Sequence, residues 1–560
     1  MKKARFFAPF EPTLTEPTSR VLSTGVALLL CAVGLALIVA PVILHDRIPG
    51  DIGDGRFNRY VLEHFHLWLT GRTPYFWTAP FYFPFPLTVA FSDNHLGTGL
   101  VYSLLRSMGL DPENAFCGWY LVAYIVNYAA ALFALRRLGC GGIASGAGAF
   151  LFAFGLPMTA QEGHAQLAYR FGVPLALLAL VEFDRRPRLL SLVQLAFWAT
   201  WQFYCSIYLG VFLLFVLMST MLSMIVSGRG SILKKLSSRA DRLWRMWKDA
   251  IGIERALASA AIAISTGALI ALAVPYLEVK HIYNFRRDWG EIAPMLPRPL
   301  SYFYSANSWV WSVSWAGFDR LPMKHEHSMF FGIAPFIAVG MYLACQRSND
   351  EAKVALFRVT WLSLLIAVLV TISIGDYSAY RLLVALPGVN AVRAVSRICV
   401  VLLFPVAVLT ALAIDRLLDS ARPVRHSLLL STAIVLVMVI ECAAIGHQSS
   451  SKIEWRTRID SLIVQLPSSL PSDPIIFVAP TAEPQIVREI DGMMLAQMRG
   501  WKTLNGYSGN APPGHVFSGN CSDAAQNLAA GALFSGSISD AALRLLSENI
   551  VVIGGVGCFR

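Results

Sequence analysis

Two aspartates follow directly after the first long apolar run of the chain. Asp51 and Asp54 stand in the glycine-rich stretch 50–55, which reads Gly-Asp-Ile-Gly-Asp-Gly. Glycines let a turn bring its backbone close to a ligand, and a carboxylate placed there can act as general base toward a hydroxyl group. A second carboxylate can orient the first or hold a divalent cation. The alternative is that Asp54 only caps the helix that follows.

The residues from Asp54 onward predict an amphipathic helix that lies on the membrane surface. Apolar side chains recur at the spacing of one helical face, at Phe57, Val61, Phe65 and Trp68. Arg56 and Glu63 fall on the opposite, polar face, and His64 follows directly. We interpret Arg56, Glu63 and His64 as candidate contacts to a substrate.

Further along the same loop, aromatic and proline residues fill the segment 76–86. This composition is typical of an anchor at the membrane interface, and the alternative is a wall on which a sugar or a lipid stacks. Asp93 follows in a polar turn and is a candidate substrate contact or a helix N-cap. His164 and Arg170 lie between two apolar runs, where polar groups are costly unless they face water or a cavity. They are candidate substrate contacts, with a surface loop as the alternative.

Four arginines are candidates for binding a donor phosphate: Arg286, Arg287, Arg393 and Arg397. Arg393 and Arg397 are four residues apart, so on a helix they would share one face and could bind a phosphate together. Both are predicted on the outer side, against the usual bias of basic residues toward the cytoplasm. Contact with lipid headgroups or an internal ion pair remains the alternative. The stretch 324–327, Lys-His-Glu-His, does not support a zinc site, because residues two apart point away from each other on a helix.

The elements that position these residues are membrane spans. Of the 560 residues, 56% are hydrophobic and 14% charged, and the mean hydropathy is +0.55. A soluble protein carries about 25% charged residues. Apolar runs of about 20 residues, long enough to cross a hydrocarbon core of about 30 Å, take up most of the length. The composition therefore predicts a mainly α, polytopic transmembrane helical bundle.

About eleven spans are predicted, with the N-terminus in the cytoplasm and the C-terminus outside. They are 21–44, 113–135, 141–157, 167–183, two within 189–227, 257–277, 328–345, 357–374, 398–414 and 428–446. The loops that face outward are 45–112, 278–327 and 375–397. The transmembrane domain is thus predicted over residues 1–446.

The net charge of +11 lies mainly in short stretches between apolar runs. Basic residues in such places orient a membrane protein because they resist transfer to the outside. The segment 229–255 is predicted to be cytoplasmic and carries the clearest basic cluster, with Leu243, Trp244 and Trp247 between its lysines and arginines. This pattern predicts a helix on an anionic membrane surface. We expect no nucleic-acid partner.

Residues 447–560 differ from the rest in pattern. Short buried strands and helices are predicted at Ile475–Val478, 523–534, 538–549 and Ile550–Ile553. We therefore expect a small soluble α/β domain on the extracytoplasmic side. Cys521 and Cys558 lie in this domain, and an oxidising compartment would allow a disulfide between them. The sequence leaves that pairing open.

These features together resemble the GT-C superfamily of polytopic membrane glycosyltransferases. The shared pattern is a multispan chain with an acidic motif just after the first span, an amphipathic helix in that loop and a soluble C-terminal domain. The resemblance implies a polyprenyl-phosphate-linked sugar as donor, inversion at its anomeric carbon, and a catalytic aspartate that corresponds by position to Asp54 or Asp51. The family's commonest motif has two adjacent acidic residues, whereas these two are three residues apart. The choice between them, and any divalent metal, stays open.

We therefore predict an integral, multi-pass glycosyltransferase of a bacterial inner membrane, with its C-terminal domain in the periplasm. It would transfer a hexosyl or pentosyl group from a lipid-linked donor to a glycan, lipid or protein acceptor, in contact with membrane lipid. Three alternatives remain. A polymerase or ligase of lipid-linked saccharides would not need the first-loop aspartates. A transporter predicts internal repeats, and none is visible. A non-catalytic scaffold would bind a partner through its outer domain.

Overall fold

The computed structural model describes residues 17–227, 231–311, 317–344, 350–386, 388–419, 424–479, 484–517, 521–535 and 540–554. Within these residues, nine helical segments are long and apolar enough to cross a membrane. They are Val21–Ile43, Pro112–Leu138, Gly142–Thr159, Ala165–Arg185, Ile207–Ser227, Gly252–Tyr283, Glu351–Thr371, Val395–Leu418 and Arg425–Ala443. The predicted polytopic helical architecture is confirmed.

Two shorter helices occupy the positions of the remaining predicted spans. Leu189–Cys205 has 17 residues and Ile333–Ala344 has 12. A helix of 12 residues is about 18 Å long, which is less than the hydrocarbon thickness of about 30 Å. The count of about eleven spans therefore stays a prediction.

In chain order, the first ten helices are α1 (Pro17–Gly34), α2 (Ala40–Ile43), α3 (Asp54–Leu69), α4 (Gly99–Ser107), α5 (Pro112–Leu138), α6 (Gly142–Phe154), α7 (Leu156–Thr159), α8 (Gly172–Arg185), α9 (Leu189–Cys205) and α10 (Ile207–Ser227). The next eight are α11 (Ile232–Asp249), α12 (Gly252–Tyr283), α13 (Trp289–Ile292), α14 (Ile333–Ala344), α15 (Glu351–Thr371), α16 (Tyr380–Leu383), α17 (Cys399–Leu418) and α18 (Val424–Ala443). Three short strands accompany them, β1 (Arg47–Pro49), β2 (Ser373–Ile374) and β3 (Tyr377–Ser378).

Helix α17 lies at the centre of the membrane helices. Nearly all of its side chains are buried, and it packs against α6, α14 and α15. At its C-terminal end, Asp415 accepts hydrogen bonds from Lys353 Nζ and from the Gly141 N–H, both at 2.9 Å. These bonds tie α15 and the start of α6 to α17. The segment that leads into the other end of α17, residues 389–398, therefore rests on a well-packed helix.

The C-terminal region, from residue 447 onward, mixes strands and helices. Its elements are β4 (Ser449–Ser451), α19 (Lys452–Val464), β5 (Ile475–Val478), α20 (Gln485–Arg499), β6 (Lys502–Thr503), α21 (Cys521–Ser535), α22 (Asp540–Glu548) and β7 (Ile550–Ile553). A parallel sheet has the order β6-β5-β7. Strands β5 and β7 cover the residues predicted as buried strands. The pairing of Cys521 and Cys558, which the sequence leaves open, lies outside the described residues.

The first loop, residues 45–112, is built into the C-terminal region. Strand β1 pairs with β4 in antiparallel orientation. At the free edge of β6, Thr503 donates its N–H to the Pro80 carbonyl and accepts from the Phe83 N–H, both at 2.9 Å. The neighbouring rings of Phe81, Tyr82 and Phe85 are buried. The sequence predicts that this aromatic segment forms a membrane anchor or a sugar-binding wall. For these three rings the prediction is wrong, because they are buried in the contact between the first loop and the C-terminal region.

Helix α3 does not lie on a membrane surface as predicted, because all of its residues from Gly55 to His66 are buried. Arg56 forms an ion pair with Asp491 of α20 at 2.6 Å, and Arg59 donates to Gln497 Oε1 at 2.9 Å. The C-terminal region covers the polar face of α3, which the sequence pattern predicts to contact water. A pattern within sixteen residues cannot reveal a partner at the far end of the chain.

Candidate functional site

A cleft opens where the first loop, the C-terminal region and the ends of several membrane helices meet. The empty space in it, about 940 Å³, includes open solvent. The lining residues include parts of five segments: 54–58, 90–93, 207–208, 391–397 and 507–510. No single element forms the site, so its geometry depends on the contacts described above.

Asp54 is the first residue of α3, and its carboxylate faces the cleft. The Tyr507 hydroxyl donates to Asp54 Oδ1 at 2.5 Å, and His164 Nδ1 lies 2.9 Å from Asp54 Oδ2. Asn58 Nδ2 donates to the Asp54 carbonyl at 2.7 Å. The side chain is 28% exposed. A carboxylate oxygen can accept more than one hydrogen bond, so Asp54 can still accept one from a ligand hydroxyl.

His164 joins Asp54 to a buried ion pair. Arg397 donates to Glu326 through Nη2 at 2.6 Å and through Nε at 3.0 Å. Arg397 Nη2 also lies 2.9 Å from His164 Nε2. Because a guanidinium only donates, His164 Nε2 accepts, which leaves the proton on Nδ1, beside Asp54. One connected set of polar side chains therefore runs from the ion pair to the cleft, and we call it the Asp54 network. Its members are Glu326, Arg397, His164, Asp54 and Tyr507.

The network holds its two acids in the ionised form. Burial raises the pKa of Asp54, but the contact with His164, the Tyr507 hydrogen bond and the Arg397 charge outweigh burial and lower it to about 2. Burial likewise raises the pKa of Glu326, and the charge of Arg397 lowers it to about 2. Burial and the nearby Asp54 raise the pKa of Tyr507. Tyr507 thus remains a donor, and Asp54 is a carboxylate at neutral pH.

Asp51 has a different place from Asp54. Its Oδ1 accepts hydrogen bonds from the N–H groups of Gly53 at 3.1 Å and Gly55 at 3.2 Å, and it does not line the cleft. The turn requires glycine at Gly50, where φ is +87° and an added Cβ would lie 3.0 Å from the Gly55 Cα. Capping was the alternative considered for Asp54, and in the structure Asp51 performs it.

Three of the four predicted phosphate-binding arginines line the cleft: Arg287, Arg393 and Arg397. Arg286 is exposed outside it. Arg287 donates to Glu291 Oε2 at 2.7 Å and also to the Gly509 carbonyl. This second contact ties the segment between α12 and α13 to the loop that carries Tyr507.

Arg393 and Arg397 do not share one helix face as predicted. The chain forms two separate 3-10 turns here, Val389–Ala391 and Val395–Ile398. Arg397 is buried and paired with Glu326. Arg393 is half-buried, and among the described residues its guanidinium has no hydrogen-bond or ion-pair partner. Of the three cleft arginines, Arg393 is therefore the one whose charge is available to an anionic ligand.

Asp93 lines the cleft and also caps the N-terminus of α10. Its carboxylate accepts hydrogen bonds from Ser206 Oγ at 2.9 Å and from the Ile207 N–H at 2.7 Å. Burial raises the pKa of Asp93 to about 6 in spite of these bonds. Both alternatives considered for this residue, a contact to a ligand and an N-cap, are compatible with its position.

The Asp93→Asn variant is expected to flatten the dependence of stability on pH. Unfolded Asp titrates near pH 3.9 and folded Asp93 near 6, so the folded chain binds more protons between these values. Stability therefore falls as pH rises from about 4 to about 6, and the full cost persists above pH 6. The apparent Tm of both proteins should be measured from pH 4 to 8. Parallel profiles would show that Asp93 does not titrate as described.

Five predicted substrate contacts do not line the cleft: Arg56, Glu63, His64, His164 and Arg170. His164 instead contacts Asp54 from behind. Glu63 is paired with Arg106 at 2.8 Å, and His64 Nε2 lies 2.9 Å from a backbone carbonyl. Arg170 is fully buried among the membrane helices and donates to two backbone carbonyls, at 3.2 and 3.3 Å. These charged groups find their partners within the protein, so their burial requires no substrate.

The cleft and network residues that are absent from the sequence-based candidates include Glu326, Tyr507 and Tyr208. Glu326 lies between two histidines, and that pattern draws attention to metal binding rather than to an arginine. Tyr507 belongs to a glycine-rich stretch that predicts only a loop. The Tyr208 ring lies 5.6 Å from the Arg397 guanidinium. No local sequence pattern predicts a role for these residues, because each one contacts a partner that is distant in the sequence.

The described residues contain no group of three or more His, Cys, Asp and Glu side chains placed to hold a metal ion. Asp54 accepts a hydrogen bond from Tyr507 through one carboxylate oxygen, and His164 Nδ1 lies 2.9 Å from the other. Asp51 is turned into its own loop. The two carboxylates thus do not converge on a common point, and the donor set does not fit a shared divalent cation.

No protein-family model matches the chain, and no curated protein sequence matches it significantly. Among solved structures it is similar to the apo oligosaccharyltransferase of Archaeoglobus fulgidus, with 12% identity, a TM-score of 0.48, and coverage of 95% of this chain and 69% of the other. It is also similar to ArnT of Cupriavidus metallidurans bound to undecaprenyl phosphate, with 11% identity, a TM-score of 0.42, and coverage of 86% and 85%. At TM-scores below 0.5 the likeness is partial and assigns neither substrate nor site residue to this chain.

Proposed function

We propose that the chain is a membrane glycosyltransferase that moves a sugar from a polyprenyl-phosphate-linked donor to an acceptor hydroxyl, with Asp54 as general base. The observation that carries the proposal is the cleft itself. An ionised carboxylate, Asp54, lines the same cleft as Arg393, whose guanidinium has no hydrogen-bond or ion-pair partner among the described residues. The resemblance of the first-loop motif to the GT-C superfamily supports the same reaction.

In the proposed reaction the acceptor oxygen attacks the anomeric carbon of the donor sugar. The bond between that carbon and the phosphate oxygen breaks, and the phosphate leaves with the bonding electrons. The acceptor proton passes to Asp54. Direct attack of this kind inverts the anomeric carbon. Arg393 would bind the leaving phosphate, since guanidinium–phosphate contacts are charge-assisted and directional.

The low pKa of Asp54 limits the stage of the reaction at which the acceptor proton can pass to Asp54. A base with a pKa of about 2 is too weak to ionise a free hydroxyl at neutral pH. The hydroxyl becomes acidic only as its oxygen bonds to the sugar, so the proton would move late. An acceptor that displaces the Tyr507 hydroxyl would also remove one of the groups that lower the pKa of Asp54. The acceptor hydroxyl is accordingly proposed to take the place of Tyr507 Oη.

The Arg393→Gln variant is expected to weaken the use of the donor by about 10- to 100-fold in kcat/KM. A hydrogen bond to a charged group contributes about 1.5–3 kcal/mol, and Gln keeps a donor but not the charge. Arg286→Gln is the matched control, because this exposed arginine lies outside the cleft. Transfer rates at several donor concentrations measure the effect. Equal losses in the two variants would mean that general surface charge, not a phosphate site, is responsible.

The orientation in the membrane is part of the proposal. Basic residues of α11 and Arg136–Arg137, near the end of α5, are expected in the cytoplasm by the positive-inside tendency. The cleft and the C-terminal region would then face the periplasm of a bacterial cell. Tyr507 and neighbouring C-terminal residues line the cleft, which supports a contribution of this region to acceptor recognition, whether the acceptor is a glycan, a lipid or a protein.

The proposal is tested by comparing lipid-linked sugars and surface glycans in cells with and without the chain. Loss of the chain should cause one polyprenyl-phosphate sugar to accumulate and one glycan to lack the corresponding residue. This comparison identifies donor and acceptor together. Unchanged donor pools and glycans would count against a transferase. Longer or shorter polymers with unchanged composition would instead indicate the polymerase or ligase alternative.

A further inference from the structure

Helix α11 is an exposed amphipathic helix between two membrane spans. Helix α10 ends at Ser227 and α12 begins at Gly252, so short connections tie both ends of α11 to spans. Five large apolar side chains on α11 are between 37% and 80% exposed: Leu233, Leu236, Leu243, Trp244 and Trp247. At 3.6 residues per turn they fall within an arc of about 100°. They form one stripe, which we call the α11 apolar stripe.

The protein fixes how α11 is rotated about its axis. On one flank of the stripe, Lys235 Nζ donates to the Ile225 carbonyl at the end of α10, at 2.8 Å. Arg239 Nε donates to the Asp184 carboxylate, and Arg242 donates to the Asp184 carbonyl, both at 3.0 Å. These three basic residues are half-buried. The flank they form faces the protein, so the stripe cannot turn inward.

Three basic residues on the other side of the stripe have no ion-pair partner among the described residues. Lys234, Arg245 and Lys248 are exposed. Among the described residues none of the three has a carboxylate within ion-pair distance, and Arg245 Nε contacts only the Asp241 carbonyl of its own helix, at 3.3 Å. The stripe therefore has basic residues on both sides, one set bound by the protein and one set free.

We propose that α11 binds the surface of a bilayer that contains anionic phospholipids, with the apolar stripe immersed and Lys234, Arg245 and Lys248 on lipid phosphates. Tryptophan and leucine on one face with lysine and arginine beside them are the composition of helices that lie in the interface. The two flanking spans already hold α11 near the membrane surface. Free basic residues there are attracted to anionic headgroups. This inference does not depend on the proposed transferase activity.

The first test measures lipid binding by the purified full chain in neutral detergent. Dioleoyl phosphatidylglycerol or dioleoyl phosphatidylcholine is titrated in, and bound lipid is counted by native mass spectrometry. Each basic residue contributes about fivefold to the attraction, so the triple variant K234Q/R245Q/K248Q should bind phosphatidylglycerol about 100-fold more weakly. Binding of phosphatidylcholine should not change.

The matched control is R72Q/K280Q/R320Q, which removes the same charge at three exposed positions elsewhere. It should leave phosphatidylglycerol binding close to that of the unmodified chain. Equal losses in the two triple variants, or no loss in either, would overturn the assignment of the headgroup site to α11.

The second test measures immersion without changing charge. Trp244→Cys lies on the stripe, and Ser238→Cys lies on the opposite, exposed face. In vesicles with 30% phosphatidylglycerol and 70% phosphatidylcholine, a membrane-impermeant maleimide should label position 238 at least tenfold faster than position 244, after subtraction of the unmodified chain. Equal fast labelling would contradict immersion. Slow labelling of both positions would indicate that the face of Ser238 is covered as well, for example by a second copy of the chain, and would also overturn the proposal.

Discussion

The Asp54→Asn variant is expected to lose sugar transfer by a factor of about 10²–10⁴, the usual contribution of a general base. Asparagine has nearly the same size and can still accept one of the two hydrogen bonds, from Tyr507 or from His164, so the chain should still fold. What it cannot do is take up the acceptor proton. Transfer of labelled sugar from a polyprenyl-phosphate donor in isolated membranes measures the loss, and donor binding measured in parallel should persist.

The control for this variant is three residues away. Asp51→Asn makes the same chemical change at a carboxylate that caps the first turn of α3 and lies outside the cleft. We expect it to keep transfer within a few-fold and to change stability little, because asparagine caps a helix about as well as aspartate. Equal loss of transfer in the two variants would refute Asp54 as the base and point to a structural effect of the turn.

The Arg397→Leu variant is expected to be strongly destabilised, by about 3–5 kcal/mol, because it leaves Glu326 buried without a counter-charge. Both side chains of this ion pair are less than 10% exposed. The apparent Tm in detergent should fall accordingly. Arg393→Leu is the comparison, because Arg393 has no ion-pair partner among the described residues and should change Tm little. A small effect of Arg397→Leu would mean that water or another group reaches Glu326.

The double variant Arg397→Leu/Glu326→Leu separates stability from activity. Replacing a buried ion pair by apolar residues is often neutral or stabilising, so most of the lost Tm should return. Transfer should stay low, because His164 no longer receives the hydrogen bond that keeps its proton on the nitrogen beside Asp54. Recovery of transfer together with Tm would show that the pair serves only the fold.

Local properties of the chain can be predicted from the sequence because they depend on neighbours along it. Apolar runs predict membrane helices wherever they are long enough, and nine such segments are present among the described residues. Strands Ile475–Val478 and Ile550–Ile553 follow from short apolar runs between turn signals. The position of Asp54 at the start of a helix also follows from the helical periodicity after it. Each of these predictions needs fewer than about thirty consecutive residues.

The same reasoning fails where a side chain meets a distant partner. Arg56 and Glu63 look solvated in the helical pattern, yet Asp491 and Arg106 cover them. Arg393 and Arg397 look equivalent at a spacing of four, yet the two 3-10 turns give them different surroundings. In each case the charge is visible in the sequence and its partner is not.

The sequence by itself thus determined the membrane helices, the strands of the C-terminal region and an acidic pair in the first loop. Only the tertiary structure decided that Asp51 caps a turn while Asp54 enters the cleft, and that Tyr507, His164 and Arg397 surround it. The physical reason is the distance along the chain over which each effect acts. Backbone periodicity and apolar burial act over one turn or one strand, whereas the ionisation of Asp54 depends on groups that only folding brings within 3 Å.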